Sequence, residues 1–546
     1  MARMTVGKIL YGAAFTVVLP VLLILWAAGA EPSVALPAFG DPAFGFVLAL
    51  CGLGLTAAGM RGLWRFGGGL PMNAFPPPKL VSRGAFRWIP HPIYTGFVAA
   101  CLGVSMAARS AAGLWLVTPV VALGCAALVL GYERPDMLRR FGAILRVLPA
   151  DEEKPPAATD RARFFFAAVV PWIAFYEYAA HLAPGSPWAG AVYWSLWLAA
   201  AASTWFARTR RGLRRLMVSV WVAAAVTLPF CWLARAPFPP LWAAAAALVA
   251  APALLRPEFF WERLRRAAER LANSWREWRI GPVRIINHGL YAGAGAFVHV
   301  AVVIAAVGPE RKWDALATAF AGLIGAGIWA QWVEGSSRLR RPFGFYGGLI
   351  GAGIACLFFE ERWILLAGHC LGAPWLQAIG RLRCLVNGCC HGAPAPDGVG
   401  IRVTHPRSRV TRLANLTGVP IHATQLYSIL GNVALGGLLA RLWLSGSPLP
   451  LVCGVYAIGN GCARFVEEAY RGEPQTKVVG GLRLYQWIAA GSVAAGAALT
   501  AFRASPAPPL MLSPAGIVWA AAFGLLAGAA LGVDFPETDR PFARLT

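Results

Sequence analysis

The stretch "INHGLYAGAGAFVHVAVVIAAVG", Ile286 to Gly308, contains no Asp, Glu, Lys or Arg. About 20 predominantly apolar residues suffice for a helix to span the hydrocarbon core of a bilayer, so this stretch reads as a membrane span. Working outward, similar runs begin near residues 9, 44, 92, 111, 164, 188, 216, 240, 286, 315, 344, 423, 450 and 485, and a further run covers 514–533. The pattern predicts an all-α, polytopic integral membrane protein with roughly 14 transmembrane helices. The first run is expected to be retained as a helix, although Ala28-Gly29-Ala30 has the form of a signal-peptide cleavage site.

Composition agrees. Of 546 residues, 58% are hydrophobic and 14% charged, whereas a soluble domain carries about 25% charged residues. A large cytosolic enzyme is excluded, and 11 Cys are too sparse for a disulfide-stapled secreted module. The formal charge of +24 comes from short basic clusters between apolar runs, as in "RTRRGLRR" (Arg208 to Arg215) and the stretch Arg256 to Arg279. That placement suits positive-inside topology and anionic headgroups. No folded basic domain is available for nucleic acid, so none is expected as a partner.

Two polar stretches suggest boundaries: "ADEEKPPAATDRAR" (Ala150 to Arg163) and the Arg-rich 256–279. The chain then divides into 1–155, 156–255 and 256–546. In the second stretch Phe259, Phe260, Leu264, Ala267, Ala268 and Leu271 recur at helical spacing. This fits a helix lying along the membrane surface as well as a solvated connector. The middle segment offers Tyr176, Glu177, Tyr178 and His181. Glu177 and His181 are one turn apart, which suits an interfacial pair, and no chemistry is assigned there.

In the first segment, "NAFPPPKLVSRGAFRWIPHPIYTGF" is followed by "GYERPDMLRRFG". Arg83 and Arg87 precede His91-Pro92, Tyr94 and Gly96 follow, and Glu133 is trailed by Arg139 and Arg140. Such a set suits a ligand carrying carboxylate and ammonium groups at the membrane interface. It suits equally a helix cap with anchoring arginines. The pattern over residues 40–149 resembles the isoprenylcysteine carboxyl methyltransferase and phospholipid methyltransferase superfamily. The resemblance implies S-adenosylmethionine as cofactor, a lipid-borne acceptor, and Arg87, His91, Tyr94 and Glu133 as site residues. Two features depart from the family: Pro90 stands where an Arg normally precedes His-Pro, and the tyrosines that follow Phe-Gly are missing after Gly142.

The third segment holds polar clusters within apolar sequence: "GPVRIINHGLY" (281–291), "RRPFGFYGGLIG" (340–351), "GRLRCLVNGCCHG" (380–392), "IHATQLY" (421–427) and "GNGCARFVEEAYRGEP" (459–474). Arg381, Arg383, Arg464 and Arg471 are costly in hydrocarbon unless paired or facing water. Glu467 and Glu468 are the evident partners, and Arg464, Glu468 and Arg471 share one helix face. Arginines with Asn387, Gln425 and close-approaching glycines are what a phosphodiester headgroup requires.

These clusters, in this order, resemble the prolipoprotein diacylglyceryl transferase family over residues 281–500, with a GCCHG variant of its loop. The resemblance implies phosphatidylglycerol as substrate, held through Arg381, Asn387, Gly388, Gly392, Gln425, Tyr427, Arg464 and Glu468. It implies transfer of diacylglyceryl to a prolipoprotein lipobox Cys or another acceptor, in a bacterial inner membrane. The family's His before Gly-Gly is Tyr346 here, its Tyr before Gly-Leu is His288, its Asn is Cys384, and its Glu after Asn-Gly is Cys389. Tyr, with a pKa near 10, is a poor base at neutral pH. His288 is therefore the candidate base, provided it faces Tyr346, with His391 or the cysteines as substitutes; the catalytic candidates are Tyr346, His288, Arg381, Arg464 and Cys389. C-x4-C-C-H is not a standard zinc spacing, and no metal is expected. A Cys384–Cys389 or Cys384–Cys390 disulfide, a catalytic thiol and small packing residues stay open. The alternative to a transferase is a non-catalytic phospholipid-binding or transport protein retaining both folds, or a methyltransferase joined to an inactive lipid-binding half.

Overall fold

A computed structural model describes residues 6–69, 76–142, 153–171, 174, 178, 180–181, 205, 207–218, 220–221, 257–332, 343–472 and 477–537. Its main helices are α1 (Leu10–Ser33), α2 (Pro42–Gly62), α3 (Pro92–Ala107), α4 (Gly113–Phe141), α5 (Pro257–Ala272), α6 (His288–Val307), α7 (Lys312–Trp332), α8 (Phe345–Cys356), α9 (Arg362–Asn387), α10 (Thr424–Leu444), α11 (Leu449–Ala469), α12 (Leu484–Thr500) and α13 (Pro514–Gly532). Among the described residues, eight helices are long and apolar enough to cross a membrane, and α3 and α8 are apolar but shorter. The chain is an all-α, multi-pass membrane protein. The runs beginning near 188, 216 and 240, and the later part of the run beginning near 164, lie wholly or mostly outside the described residues. One long helix, α9, is absent from the expected runs: Arg381 and Arg383 near its end dilute its hydropathy, and Pro374 lies inside it.

The described residues fall into two compact units, one within 1–28, 35–125 and 133–264, the other within 29–34, 126–132 and 265–546. In the first unit, α2 starts on Asp41, whose carboxylate accepts from the Phe44 N–H at 2.9 Å. α2 packs on α3 through small residues: Gly45, Ala49 and Gly52 face Gly96, Ala100 and Gly103. A Cβ on Gly45, Gly52, Gly96 or Gly103 would overlap the facing backbone, which is the close approach that small-xxx-small helix pairs exploit in lipid. Gly103→Leu is expected to separate this pair; overpacking costs roughly 1–3 kcal/mol or more, read as a lower melting temperature in detergent with Gly54→Leu, which meets nothing nearby, as control.

Tyr178 donates to the Leu114 carbonyl at 2.7 Å, and His181 stacks on Phe39 at 4.2 Å. Tyr176 and Glu177 lie outside the described residues, and with them the pairing expected of Glu177.

In the second unit, α6 approaches α13 closely through Gly289, Gly293, Gly524, Gly528 and Gly532. Trp443, Leu439, Leu371 and Val452 centre a core shared by α9, α10 and α11. His299 of α6, His369 of α9 and Thr318 of α7 form a buried polar chain, with ring nitrogens 3.0 Å apart and His369 Nε2 2.8 Å from the Thr318 hydroxyl. That chain satisfies groups that hydrocarbon would strand.

Three short antiparallel pairings flank the helices. β1 (Glu277–Ile280) pairs with β2 (Val283–Ile286), β3 (Ile401–Arg402) with β4 (Pro420–Ile421), and β5 (Val478–Val479) with β6 (Leu482–Arg483). β7 (Val533–Asp534) joins β2 from the other side. There Arg284 donates to Asp534 through Nε at 2.8 Å and Nη2 at 2.6 Å. These bonds hold the buried guanidinium above its ordinary pKa.

Candidate functional site

The site grows from the last turns of α9. Arg381, Cys384 and Asn387 recur every three residues, and the helix ends at Gly388, whose φ of +73° closes it in the left-handed cap that glycine favours. A Cβ there would collide with the Ser408 hydroxyl. The loop that follows is pinned to α10: the Gln425 amide donates to the Cys389 carbonyl at 2.9 Å, and the Thr424 hydroxyl to the Cys390 carbonyl at 2.7 Å. It is pinned also to the end of α11, because Gly392 bridges Arg471 and the Gly472 N–H donates to the His391 carbonyl at 3.0 Å. Gly392 has no room for a side chain against the His422 carbonyl. Tyr427 and His422 meet at 3.2 Å, and Asn387 is buried.

Beside this loop stands a buried network of opposite charges. Arg381 reaches Glu467 at 3.1 Å and donates through Nε to Ser428 at 3.1 Å. Arg464 reaches Glu467 at 2.8 Å and Glu468 at 2.9 Å, with its guanidinium 5.0 Å over the Tyr485 ring. Arg471, just past the end of α11, reaches the same two carboxylates at 3.5 and 3.6 Å. Arg483 reaches Glu468 at 3.5 Å. Four guanidiniums therefore surround two carboxylates, and Glu468 is fully buried. The excess is two positive charges where solvent is scarce, so the cluster favours an anion. Arg483 and Tyr485 escaped sequence reasoning; their signal was an Arg two residues before an aromatic at the start of an apolar run.

Tyr346 of α8 lies next to this network, its ring 5.3 Å from Tyr485 and 6.3 Å from Trp329. Its hydroxyl is buried without a hydrogen-bond partner, as suits a group aimed at a ligand. His288 is elsewhere: it is fully buried, edge-on to Trp275 at 5.0 Å, with Arg383 and Arg284 as its charged neighbours. The fold does not bring His288 to Tyr346, so the pairing expected of a base is absent. The reason is local, since His288 is the first residue of α6 and packs on Trp275, which itself clusters with Ile286 and Val386.

Cys384, Cys389 and Cys390 converge. Their sulfurs lie within 4.8 Å of one another, and among the described residues no disulfide forms. Adjacent cysteines meet one point because Cys390 has a φ of +58°, a left-handed conformation rare for a residue with a Cβ. His391 is turned away, with Nδ1 3.1 Å from the Gly392 carbonyl.

The Arg-rich helix shares this end of the unit. Arg265 donates to the Gly400 carbonyl at 3.1 Å, Glu269 accepts from the Arg402 N–H at 2.9 Å, and Asn273 accepts from the Thr404 N–H at 2.7 Å. His405 stacks near Trp275 at 6.3 Å; partial burial and the Arg407 charge lower its pKa. The Arg-rich helix is therefore tied to the segment 400–404 that follows the site loop.

In the first unit, Tyr94 donates to Glu133 at 2.5 Å and His91 Nδ1 lies 3.4 Å from the same carboxylate. Arg87 is not part of this trio: its carbonyl accepts from Arg163 at 2.6 Å and its guanidinium lies 5.6 Å over Trp88. Arg140 is held by Asp136 at 3.2 Å and by the Pro77 carbonyl at 2.6 Å.

Comparison with known proteins agrees with both halves. Residues 277–502 match the family Prolipoprotein diacylglyceryl transferase, and residues 41–144 match Phospholipid methyltransferase. Phosphatidylglycerol–prolipoprotein diacylglyceryl transferase 2 of Clostridium perfringens (strain 13 / Type A) is 28% identical over 224 residues, covering 36% of this chain and 82% of its own length. Phosphatidylglycerol–prolipoprotein diacylglyceryl transferases of Clostridium tetani (strain Massachusetts / E88) and Azoarcus sp. (strain BH72) are each 29% identical, over 26% and 32% of this chain. The chain spans 56% and 63% of the lengths of those two. One polypeptide thus joins a region that matches the prolipoprotein diacylglyceryl transferase family, residues 277–502, to a region that matches the phospholipid methyltransferase family, residues 41–144.

Proposed function

We propose that residues 277–502 transfer the diacylglyceryl group of phosphatidylglycerol to the thiol of a prolipoprotein in a bacterial inner membrane. The observation that carries this reading is the buried network in which four guanidiniums face two carboxylates. Arg381 and Arg464 hold the lipid phosphate by charge-assisted bonds. Glu467 and Glu468 fix those arginines, and Ser428 sets the plane of Arg381. The acceptor sulfur attacks the glyceryl carbon that bears the phosphate, the C–O bond breaks, and glycerol phosphate leaves with the electron pair. Developing charge on that phosphate oxygen meets guanidiniums already in position, which is the form of catalysis that needs no reorganisation. Tyr346 offers its hydroxyl to the lipid. Asn387, Gly388, Gly392, Gln425 and Tyr427 shape the loop and let backbone approach the headgroup.

The test is mass spectrometry of vesicles containing phosphatidylglycerol, the purified protein and a lipobox peptide with a single Cys. Released glycerol phosphate and a peptide heavier by one diacylglyceryl group are expected. Lipid bound tightly but unchanged would favour the phospholipid-binding protein.

A second activity is favoured by the Tyr94–Glu133–His91 trio in the other family region. We propose that it binds S-adenosylmethionine, which when bound supplies an electrophilic methyl group. The Glu133 carboxylate, oriented by Tyr94 and His91 and about one fifth exposed, suits the cationic end of that molecule. Glu133→Gln is expected to weaken its binding about tenfold, the equivalent of about 1.4 kcal/mol, measured by equilibrium dialysis. Unchanged binding would remove Glu133 from the site.

A further inference from the structure

We propose that Cys384, Cys389 and Cys390 form a three-thiolate site for a zinc-class metal ion, whose remaining coordination position takes the acceptor thiol. The proposal rests on the diacylglyceryl-transfer reading above and deepens it.

The geometry is that of a ligand set. All three sulfurs lie within 4.8 Å of one another. A C-x4-C-C spacing argues against metal only while adjacent side chains point apart. Here the left-handed backbone at Cys390 removes that objection, and the expectation of no metal at this loop is revised accordingly. The loop is braced before any ion arrives: Gln425 and Thr424 hold the Cys389 and Cys390 carbonyls, and Gly388 caps the helix that carries Cys384. Arrangements with three protein ligands keep a position open, which is the mark of catalytic rather than structural zinc. Cys384 and Cys390 are partly exposed, so the open position is reachable. Charge also fits, because three thiolates and a divalent ion sum to one negative charge beside Arg381, Arg383 and Arg471.

The chemistry answers a need left by the rest of the site. Thiol alkylation requires a thiolate, yet Tyr346 stands where a histidine base is expected and His288 is sealed against Trp275. A bound metal ion deprotonates a coordinating thiol outright. The acceptor R–SH binds the ion as R–S⁻, and its proton goes to water. A sulfur lone pair then forms the C–S bond to the glyceryl carbon, and the C–O bond to phosphate breaks, with the electron pair leaving on glycerol phosphate. The thioether product is a weaker ligand than the thiolate and departs. Cys384 is three residues from Arg381 on α9, about one helical turn, so the metal site is placed beside the arginine that holds the phosphate.

The experiment uses the full chain in detergent under reducing conditions, with Zn2+ or Co2+ as the probe. Elemental analysis is expected to find about one zinc per chain. The Co2+ form is expected to show a near-ultraviolet sulfur-to-cobalt band. Cys384→Ser, Cys389→Ser and Cys390→Ser should each lose the band and most of the metal, whereas Cys51→Ser should keep both. Melting temperatures of the variants guard against misfolding, and the Co2+ titration of the unaltered chain needs no variant. Adding a lipobox peptide should change the cobalt spectrum, and its Cys→Ser counterpart should not. Absence of metal, or a disulfide among these cysteines in the reduced preparation, overturns the proposal. So does full-rate diacylglyceryl transfer by chelator-treated protein, which would leave the transfer reading intact. Metal bound without any spectral response to the thiol peptide overturns the acceptor role. If that protein also transfers nothing to the peptide, the transfer reading itself falls.

Discussion

Arg381→Ala is expected to slow release of glycerol phosphate from phosphatidylglycerol by about 100-fold or more. Removing one preorganised donor from a developing oxyanion typically costs about 10²–10³ in turnover. Arg381 has that position: its Nε is fixed by Ser428 and its Nη2 by Glu467, so the guanidinium is oriented before lipid arrives. Arg381→Lys keeps the charge but loses the planar fork, and should recover only part of the rate. Ser428→Ala tests the orientation separately, since it frees Nε without touching charge; a loss near tenfold in turnover is expected, about 1.4 kcal/mol. Lipid mass spectrometry at saturating peptide reads all three. An Arg381→Ala protein that turns over normally would remove the phosphate from this network and with it the proposed transfer.

Glu468→Ala is expected to give the largest loss of stability. The carboxylate is fully buried and meets Arg464, Arg471 and Arg483. Its removal leaves guanidiniums buried with Glu467 alone to balance them, and breaking a buried pair from one side costs roughly 3–5 kcal/mol. A marked fall in melting temperature in detergent, followed by tryptophan fluorescence, is the expected readout. Replacing Arg483 with Gln in the same protein should restore part of the loss, because one of the unbalanced charges goes with it. Recovery in the double variant separates charge imbalance from lost packing, which Arg483→Gln cannot repair. A Glu468→Gln protein as stable as the parent would show that the volume and polarity of the side chain matter and its charge does not.

The sequence by itself determined the solvent the chain folds in. Runs such as 286–308, free of Asp, Glu, Lys and Arg, are long and apolar enough to span a bilayer as helices, because backbone polar groups in lipid must be satisfied within the segment. The membrane class and Arg381, Arg464 and Glu468 as one charged group were legible from composition and spacing, and the two family regions from the resemblance of their motifs. Helix α9 was not, because its terminal arginines look like a loop until Glu467 and Ser428 from other helices neutralise and bind them. Only the tertiary structure separated His288 from Tyr346, enclosed the former under Trp275, and added Arg483 and Tyr485 to the network. It alone brought three cysteines to one point. Spacing along a helix reports which residues share a face, but a residue's partner across the bundle, and a single left-handed turn at Cys390, depend on contacts between segments far apart in the chain.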